Sequence, residues 1–272
     1  MVTFHAHPDD ECIACGGVMR AAADAGHRVV LVVATRGEHG EVPEGFLAPG
    51  ESLRDRRIRE TRAAAEVLGA ERVEFLGYVD SGMMGTATNA GEGSFWTADV
   101  EEAAGRLAAI LREEDAEILT CYDDNGGYGH PDHIQVHRVG MRAAELAGTP
   151  RVYQATQNRD EMRAMITAAR ESGLMPAGEG PDLDSDDTVF GKPAAELTAR
   201  VDVTPWLEAK RAAMRAHASQ IAEDSFFLAM PAEGFAMAFG TEWFIRADAG
   251  PGITETELLP TGAGAAAATA DR

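Results

Sequence analysis

Short apolar runs alternate with longer helix-patterned segments along the first 155 residues of the chain. The run at residues 29–33, Val-Val-Leu-Val-Val, is continuous and mostly β-branched, which is typical of a strand buried on both faces. The pattern predicts strands at residues 2–4, 29–33, 73–76, 117–121 and 151–153, and helices at residues 11–25, 52–68, 98–112 and 131–147. This alternation predicts an α/β fold with a Rossmann-like, mostly parallel sheet and helices on both faces.

The alternation weakens after residue 155, where we expect a smaller C-terminal α+β portion. The pattern predicts helices at 159–172 and 205–218, a loop at 173–187 and a strand at 197–203. Residues 233–245 are rich in Phe, Met and Trp, so we expect them to pack against the sheet. We therefore divide the chain into a catalytic core at 1–155, a portion at 156–249 that packs on the core and shapes the pocket, and a flexible tail at 250–272.

The composition of the 272-residue chain argues against several classes of partner. The balance of 24 Lys and Arg against 45 Asp and Glu gives a net charge of −21, which repels phosphate backbones, so we expect no nucleic-acid partner. No apolar run approaches the roughly 18 residues of a membrane span, and the amino terminus lacks the pattern of a signal peptide. The odd number of cysteines favours a reducing cytoplasm. Assembly into a homo-oligomer stays open.

Two of these cysteines, Cys12 and Cys15, form a C-x-x-C string of the kind found in redox and zinc sites. A zinc site of this type needs a second cysteine pair, which the chain lacks. A redox pair stands exposed at a helix start, whereas this pair lies inside the first predicted helix. We therefore interpret both as small buried residues that pack on the sheet.

Every dense polar cluster of the chain follows a predicted strand. The string HAHPDDE at 5–11 follows the first strand, and clusters at 35–41, 77–83 and 122–133 follow the next three. The carboxyl ends of parallel strands meet at one edge of a sheet, and ligands bind in the crevice outside that edge. The clusters therefore predict a functional site there.

The string HAHPDDE has the composition of half a metal site. His7 and Asp10 are three residues apart across a turn that Pro8 opens, and this spacing can aim an imidazole and a carboxylate at one point. Nitrogen and oxygen ligands suit zinc, and a catalytic zinc keeps three protein ligands and an open place for water. Asp9, between the ligands, could take a proton from that water, whose pKa zinc lowers to about 7. The alternative is a cluster of acids that favours the positive end of a helix.

The string GHPDH at 129–133 repeats His-Pro-Asp, again after a strand and at the start of a helix. One of its histidines, His130 or His133, could complete the metal site, and the other could act as a general acid. Asp132 could orient an imidazole, and Tyr128 could donate a hydrogen bond to a developing oxyanion. Two such strings make the alternative of unrelated polar turns improbable.

The motifs resemble those of the PIG-L/LmbE-like family of zinc-dependent de-N-acetylases. The resemblance rests on AHPDDE at 6–11 and HPDH at 130–133, and it extends to GEHGE at 37–41, VDSGM at 79–83, NGGYGHPDH at 125–133 and AHASQ at 216–220. Within the family, the chain is most similar to the mycothiol-pathway members. These are a deacetylase acting on N-acetylglucosaminyl-inositol and an S-conjugate amidase.

This resemblance implies a role for each matching residue. The implied metal ligands are His7, Asp10 and His133, with Zn²⁺ as the metal and Fe²⁺ as an alternative in cells. The implied catalytic groups are Asp9 as general base, His130 as general acid oriented by Asp132, and Tyr128 as support for the tetrahedral intermediate.

The resemblance also implies that Arg57 and Asp80 bind hydroxyls of the sugar or inositol. Residues 85–96 and 159–187 depart from both mycothiol enzymes, and these regions shape the end of the pocket that sets the substrate. The expected activity is removal of acetate from an N-acetylated amino sugar or pseudodisaccharide, a small-molecule substrate. The alternatives are an S-conjugate amidase and an inactive metal-binding module. A nucleotide site is not expected, because the first turn lacks G-x-G-x-x-G.

Overall fold

The computed structural model describes residues 1–173, Leu183, Ser185 and residues 189–259. The strands of this described part are β1 (Val2–His5), β2 (Val30–Val33), β3 (Arg72–Phe75), β4 (Ile118–Tyr122), β5 (Arg151–Thr156), β6 (Ala199–Asp202) and β7 (Thr241–Arg246). Its helices are α1 (Asp10–Ala14), α2 (Gly16–Asp24), α3 (Leu53–Leu68), α4 (Val100–Glu113), α5 (Pro131–Ala147), α6 (Arg159–Glu171), α7 (Leu207–Ala216) and α8 (Ala232–Phe239). Most of the loop expected at 173–187, and the tail from 260 onward, lie outside the described residues.

The strands form one seven-stranded sheet in the order β3-β2-β1-β4-β5-β7-β6. The five strands from β3 to β5 are parallel, and β7 is antiparallel to both of its neighbours. Every residue of β1, β2 and β4 is buried, because helices cover both faces of the sheet centre. The predicted α/β fold with a mostly parallel sheet is therefore confirmed.

The strand order reverses beside β1. The chain leaves β1 for β2 and β3 on one side, and then returns to place β4 on the other side. Such a switch point opens a crevice outside the carboxyl ends of the two central strands. The strings HAHPDDE and GHPDH follow β1 and β4, so the topology brings both to this crevice.

The first predicted helix, at 11–25, is two helices that meet at Cys15. A new helix starts there because the carboxylate of Glu242 accepts hydrogen bonds from the backbone N–H groups of Gly17 and Val18, at 2.7 and 2.9 Å. Gly17 also permits close packing, since a Cβ at this position would lie 2.3 Å from Cβ of Val203. The side chain of Cys15 is fully buried, as is that of Cys12, which agrees with the packing role expected for both.

The C-terminal portion adds the strands β6 and β7 to the sheet and the helix α7, which packs on α1, α2 and α3. Residues 233–245 are expected to pack against the sheet; α8 does contact β7, whereas β7 itself pairs with β5 and β6 inside the sheet. The reason is that Trp243 and Phe244 belong to a short strand whose partners lie far along the chain, and a local pattern does not reveal such pairing. The domain division at residue 155 stays a prediction. Among the described residues, no helix has the length and apolar character needed to cross a membrane.

Candidate active site

The two His-Pro-Asp turns bring their side chains together over the carboxyl ends of β1 and β4. Helix α5 begins at Pro131, a position where the absent N–H of proline costs nothing. The residue before it, His130, caps the helix: its Nδ1 accepts a hydrogen bond from the backbone N–H of Asp132 at 3.1 Å. The imidazole rings of His7, His130 and His133 lie with centroids 4.7 to 5.3 Å apart.

The predicted metal ligands have donor atoms at a spacing that suits a metal ion. Asp10 Oδ2 lies 3.4 Å from His7 Nδ1 and 3.2 Å from His133 Nε2. Tetrahedral zinc with bonds of 2.0–2.1 Å separates its ligand atoms by about 3.3 Å. His133 Nε2 is buried and makes no hydrogen bond of regular geometry, and its polar neighbour is Asp10 Oδ2 at 3.2 Å, as expected of two ligand atoms that face one ion. The two distances from Asp10 therefore fit zinc, as do the nitrogen and oxygen donors.

Two other groups of three possible ligands overlap this set. His7 and His133 also lie within 4.8 Å of His130, and His7 lies equally close to Asp80 and Asp132. We favour Asp10 as the third ligand because its oxygen is at contact distance from both imidazoles. This choice stays a prediction.

The charges of this cluster stabilise one another. Burial alone would lower the pKa of His7, but the neighbouring carboxylates of Asp10, Asp132 and Asp80 outweigh it and raise the pKa well above its usual range. Burial would raise the pKa of Asp10, but His133 and His7 outweigh it and lower this pKa well below its usual range. Asp10 is therefore an ionised carboxylate, the form that binds metals.

Asp132 orients a different histidine from the one expected. Its carboxylate Oδ2 lies 3.0 Å from His7 Nε2, whereas its contact with His130 runs through its backbone N–H. The backbone N–H of Ser81 donates to Oδ2 at 2.9 Å, and the Ser81 hydroxyl donates to Oδ1. The expectation that the Asp132 carboxylate orients His130 is thus corrected: it holds His7 by Nε2 and leaves Nδ1 facing Asp10.

Asp9 occupies a backbone conformation that few residues other than glycine adopt. Its φ is 99° and its ψ is −30°. Its carboxylate Oδ2 lies 3.2 Å from the Arg57 guanidinium. Burial raises the pKa of Asp9 to about 6, although the positive charge of Arg57 opposes the shift. A carboxylate with a pKa this close to neutrality suits proton abstraction.

His130 is neutral in the resting site. Burial, and after it the neighbouring imidazoles of His7 and His133, lower its pKa to about 4. Because Nδ1 accepts a backbone hydrogen bond, the neutral ring carries its proton on Nε2. The ring can therefore donate a hydrogen bond through Nε2.

Tyr128 lies at the mouth of the site and is 43% exposed. Its ring meets the His133 ring edge-on, with centroids 4.9 Å apart. Partial burial and the nearby carboxylate of Asp10 raise its pKa, so the phenol keeps its proton and can donate it in a hydrogen bond.

The two residues expected to bind substrate lie beside this cluster. Arg57 is buried and donates to the carbonyl oxygens of Gly37 and Pro8 as well as to Asp9. Asp80 accepts from backbone N–H groups and places Oδ1 3.5 Å from His7 Nε2. Their contacts with substrate stay predictions, and the contact of Arg57 with Asp9 is one that sequence reasoning missed.

Glu11 and Ser81 were also missed as members of the site, whereas His217 was expected to line the pocket or support it. Glu11 Oε1 and His217 Nε2 form a buried contact at 2.5 Å. All three residues lie inside motifs quoted above, HAHPDDE, AHASQ and VDSGM. Membership in these strings was the available signal, but it did not reveal which side chains meet.

Comparison with known proteins gives the same family from three directions. The family described as "PIG-L: GlcNAc-PI de-N-acetylase" matches residues 2–144. A protein of Streptomyces griseus named 1D-myo-inositol 2-acetamido-2-deoxy-alpha-D-glucopyranoside deacetylase is 41% identical, over 94% of this chain and 86% of its own length. A protein of the same name from Acidothermus cellulolyticus is 41% identical over 90% of this chain and 87% of its own.

A solved structure supports the fold. It is that of the N,N'-diacetylchitobiose deacetylase from Pyrococcus horikoshii in complex with an inhibitor. The similarity has a TM-score of 0.57 and 25% sequence identity, and it covers 90% of this chain and 82% of that one.

Proposed function

The chain belongs to the PIG-L family of de-N-acetylases, and on that premise we propose that it removes the acetyl group from an N-acetylglucosaminyl-inositol. The single observation that carries the proposal is the convergence of His7, Asp10 and His133, in which Asp10 Oδ2 lies 3.4 Å from His7 Nδ1 and 3.2 Å from His133 Nε2. The substrate class follows from two relatives that bear the name of that deacetylase. Their sequences are 41% identical to this chain over 94% and 90% of its length.

We assign the metal to the nitrogens and oxygen of these three residues, with zinc as the expected ion and ferrous iron as the alternative. When bound, such an ion supplies a nucleophile at neutral pH and polarises the amide carbonyl. The Asp132 carboxylate keeps His7 in the orientation that presents Nδ1, because it holds the opposite nitrogen of the ring.

Asp9 acts as the general base. Its carboxylate takes a proton from the attacking water. Its raised pKa, about 6, lies close to neutral pH, where a general base is most effective. Arg57 donates to one carboxylate oxygen of Asp9 and thereby limits its rotation. The base is thus oriented before substrate binds.

His130 and Tyr128 act on the charge that develops in the substrate. The phenol of Tyr128 donates a hydrogen bond toward the oxygen of the tetrahedral intermediate. The Nε2–H of His130 donates a hydrogen bond toward the leaving nitrogen. As negative charge grows in the site, His130 takes up a proton at Nδ1, which then releases the Asp132 N–H, and passes its Nε2 proton to the leaving amine. Asp9 returns the proton that it took from the water to solvent, so the number of protons in the site balances. Asp80, at the same edge, is the group that we expect to bind a sugar hydroxyl.

The test is hydrolysis by the zinc-loaded protein, followed by mass spectrometry. We expect the loss of one acetyl group from 1D-myo-inositol 2-acetamido-2-deoxy-α-D-glucopyranoside and the appearance of equimolar acetate. A mycothiol-type S-conjugate in a parallel reaction separates the deacetylase from the amidase. Intact substrate in every reaction, with one zinc bound per chain, would contradict the proposal.

A further inference from the structure

The backbone of Asp9 must be held in an unfavourable conformation, and the structure shows what holds it. A positive φ in a non-glycine residue costs about 1–3 kcal/mol and persists only where surrounding contacts compensate. At Asp9 the φ is 99°. The backbone N–H of Asp9 donates to the Glu11 carboxylate, with Oε2 at 2.9 Å.

Glu11 is itself held by a residue from the far end of the chain. Its second oxygen, Oε1, lies 2.5 Å from His217 Nε2, and both side chains are fully buried. The other ring nitrogen of His217, Nδ1, is buried without a hydrogen bond. Within the described residues, the imidazole of His217 therefore makes a single hydrogen bond, and its partner is Glu11.

His217 follows the last residue of α7, and the residues after it bond to neighbouring elements of the fold. The N–H and hydroxyl of Ser219 donate to Glu60 of α3, at 3.0 and 2.6 Å. The side-chain amide of Gln220 donates to the carbonyl oxygen of Glu41, in the loop that follows β2. Helix α7 packs against α1, α2 and α3, so this segment is fixed relative to the first turn of the site.

Cys12 lies close to Glu11 and His217, and the three could in principle hold a metal ion. Their contacts argue for a different use. Both oxygens of Glu11 are engaged, and the thiol of Cys12 donates to the carbonyl oxygen of Asp9 at 2.8 Å. Two of the three residues thus contact the backbone of Asp9 directly.

We propose that Glu11 and His217 are positioning residues that hold the backbone of Asp9 and thereby orient its carboxylate. The inference rests on the proposed function, in which Asp9 is the general base. Glu11 accepts the Asp9 N–H, and His217 fixes the Glu11 carboxylate. Neither touches the reacting atoms. Misplacement of a catalytic group by about 1 Å can cost about 100-fold in rate, so removal of this support should lower kcat and leave KM nearly unchanged.

The experiment compares two substitutions of similar size at Glu11. Glu11→Gln keeps an oxygen for the Asp9 N–H and an amide that can pair with a neutral His217, whereas Glu11→Leu keeps neither. In zinc-loaded protein, we expect Glu11→Leu to lower kcat about 100-fold with KM within threefold of wild type. We expect Glu11→Gln to stay within about tenfold of the wild-type kcat, since it preserves the hydrogen bond. His217→Leu should resemble Glu11→Leu.

Ser219→Ala is the matched control, because it removes a buried hydrogen bond from the same segment without touching Asp9 or Glu11. We expect it to keep kcat within about threefold of wild type, as befits a structural contact away from the reacting groups. All four variants should bind one zinc per chain. A second bound zinc that Glu11→Leu abolishes would overturn the proposal in favour of a metal site.

Hydrogen exchange of the Asp9 amide gives a readout that needs no activity. Exchange should be faster in Glu11→Leu and His217→Leu than in wild type, and unchanged in Glu11→Gln and Ser219→Ala. If wild type hydrolyses no N-acetyl sugar, the proposed function fails, whereas the exchange pattern still tests the positioning. If Glu11→Leu shows the wild-type exchange rate at the Asp9 amide, or the wild-type kcat, then Glu11 does not position Asp9.

Discussion

The tripeptide His-Pro-Asp occurs twice in this site, and the two copies have different backbones and different uses. In the first, Asp9 has a φ of 99° and a half-buried carboxylate that faces Arg57. In the second, Asp132 lies in the first turn of α5, and its fully buried carboxylate bonds His7 and Ser81. The same residue types therefore serve in one turn as a reactive group and in the other as support.

The difference follows from how each turn enters its helix. His130 caps α5, and Pro131 provides a φ that suits the first helical position, so the second turn is a regular helix start. The first turn leads into α1 through a strained residue without a side-chain cap. Strain of this kind clusters at functional sites, where surrounding contacts maintain it.

The largest expected effect breaks the first turn. Asp9→Asn removes the general base and keeps its volume, so we expect kcat to fall about 10³-fold. Zinc binding should be retained, because Asp9 is not a predicted ligand. Steady-state kinetics on zinc-loaded protein, with zinc quantified in the same sample, provides the measurement. Turnover within tenfold of wild type would exclude Asp9 as the base.

The next effect tests which residues of the two turns bind the metal. Asp10→Ala and His133→Ala should each weaken zinc binding by more than about 100-fold, since each removes one of three ligands. His130→Ala should bind zinc as wild type does. Competition with a chromogenic chelator measures these affinities. If His130→Ala loses zinc and Asp10→Ala keeps it, the ligand set is the three histidines instead.

A smaller effect is expected from the carboxylate of the second turn. Asp132→Asn weakens its hold on His7, and groups that orient metal ligands contribute about 10- to 100-fold to metal affinity. Once zinc is saturating, we expect kcat within about tenfold of wild type. Zinc titration separates these two quantities, and unchanged zinc affinity would show that the Asp132–His7 contact does not support the metal.

The smallest effect concerns stability and should differ in sign between the two turns. Asp9→Gly should be about 1 kcal/mol more stable than Asp9→Ala, because glycine adopts a positive φ without strain. Asp132→Gly should be about 1 kcal/mol less stable than Asp132→Ala, because glycine destabilises a helix. Urea denaturation of the four variants measures the free energies of unfolding. If the Gly variant is more stable than the Ala variant at both positions, or less stable at both, then Asp9 is not under the backbone strain that we infer.

Much of the fold could be predicted from the sequence because its central strands are local apolar runs. The strands that became β1 to β5 were predicted within a few residues, and α5 was predicted at its observed bounds. The pairing of β7 between β5 and β6 could not be predicted. It depends on partners about 40 to 90 residues away along the chain, and it produces no periodic pattern within β7 itself.

The site could be predicted in its residue types and less well in its contacts. Parallel strands bring their carboxyl ends together, so polar clusters after β1 and β4 indicated one site. The hydrogen bond that the Asp132 carboxylate accepts from His7 Nε2 and the contact of Glu11 with His217 depend on side-chain directions in the folded chain. Residues 206 positions apart, as Glu11 and His217 are, show no spacing that predicts their contact.

The ratio of two rates tests most directly whether the two turns divide the work in this way. Zinc-saturated Asp9→Asn and zinc-saturated Asp132→Asn differ only in which His-Pro-Asp turn has lost its carboxylate. We predict that kcat of Asp9→Asn is about 100-fold lower than that of Asp132→Asn, because only Asp9 transfers a proton. Equal values, or a lower kcat in Asp132→Asn, would contradict the account.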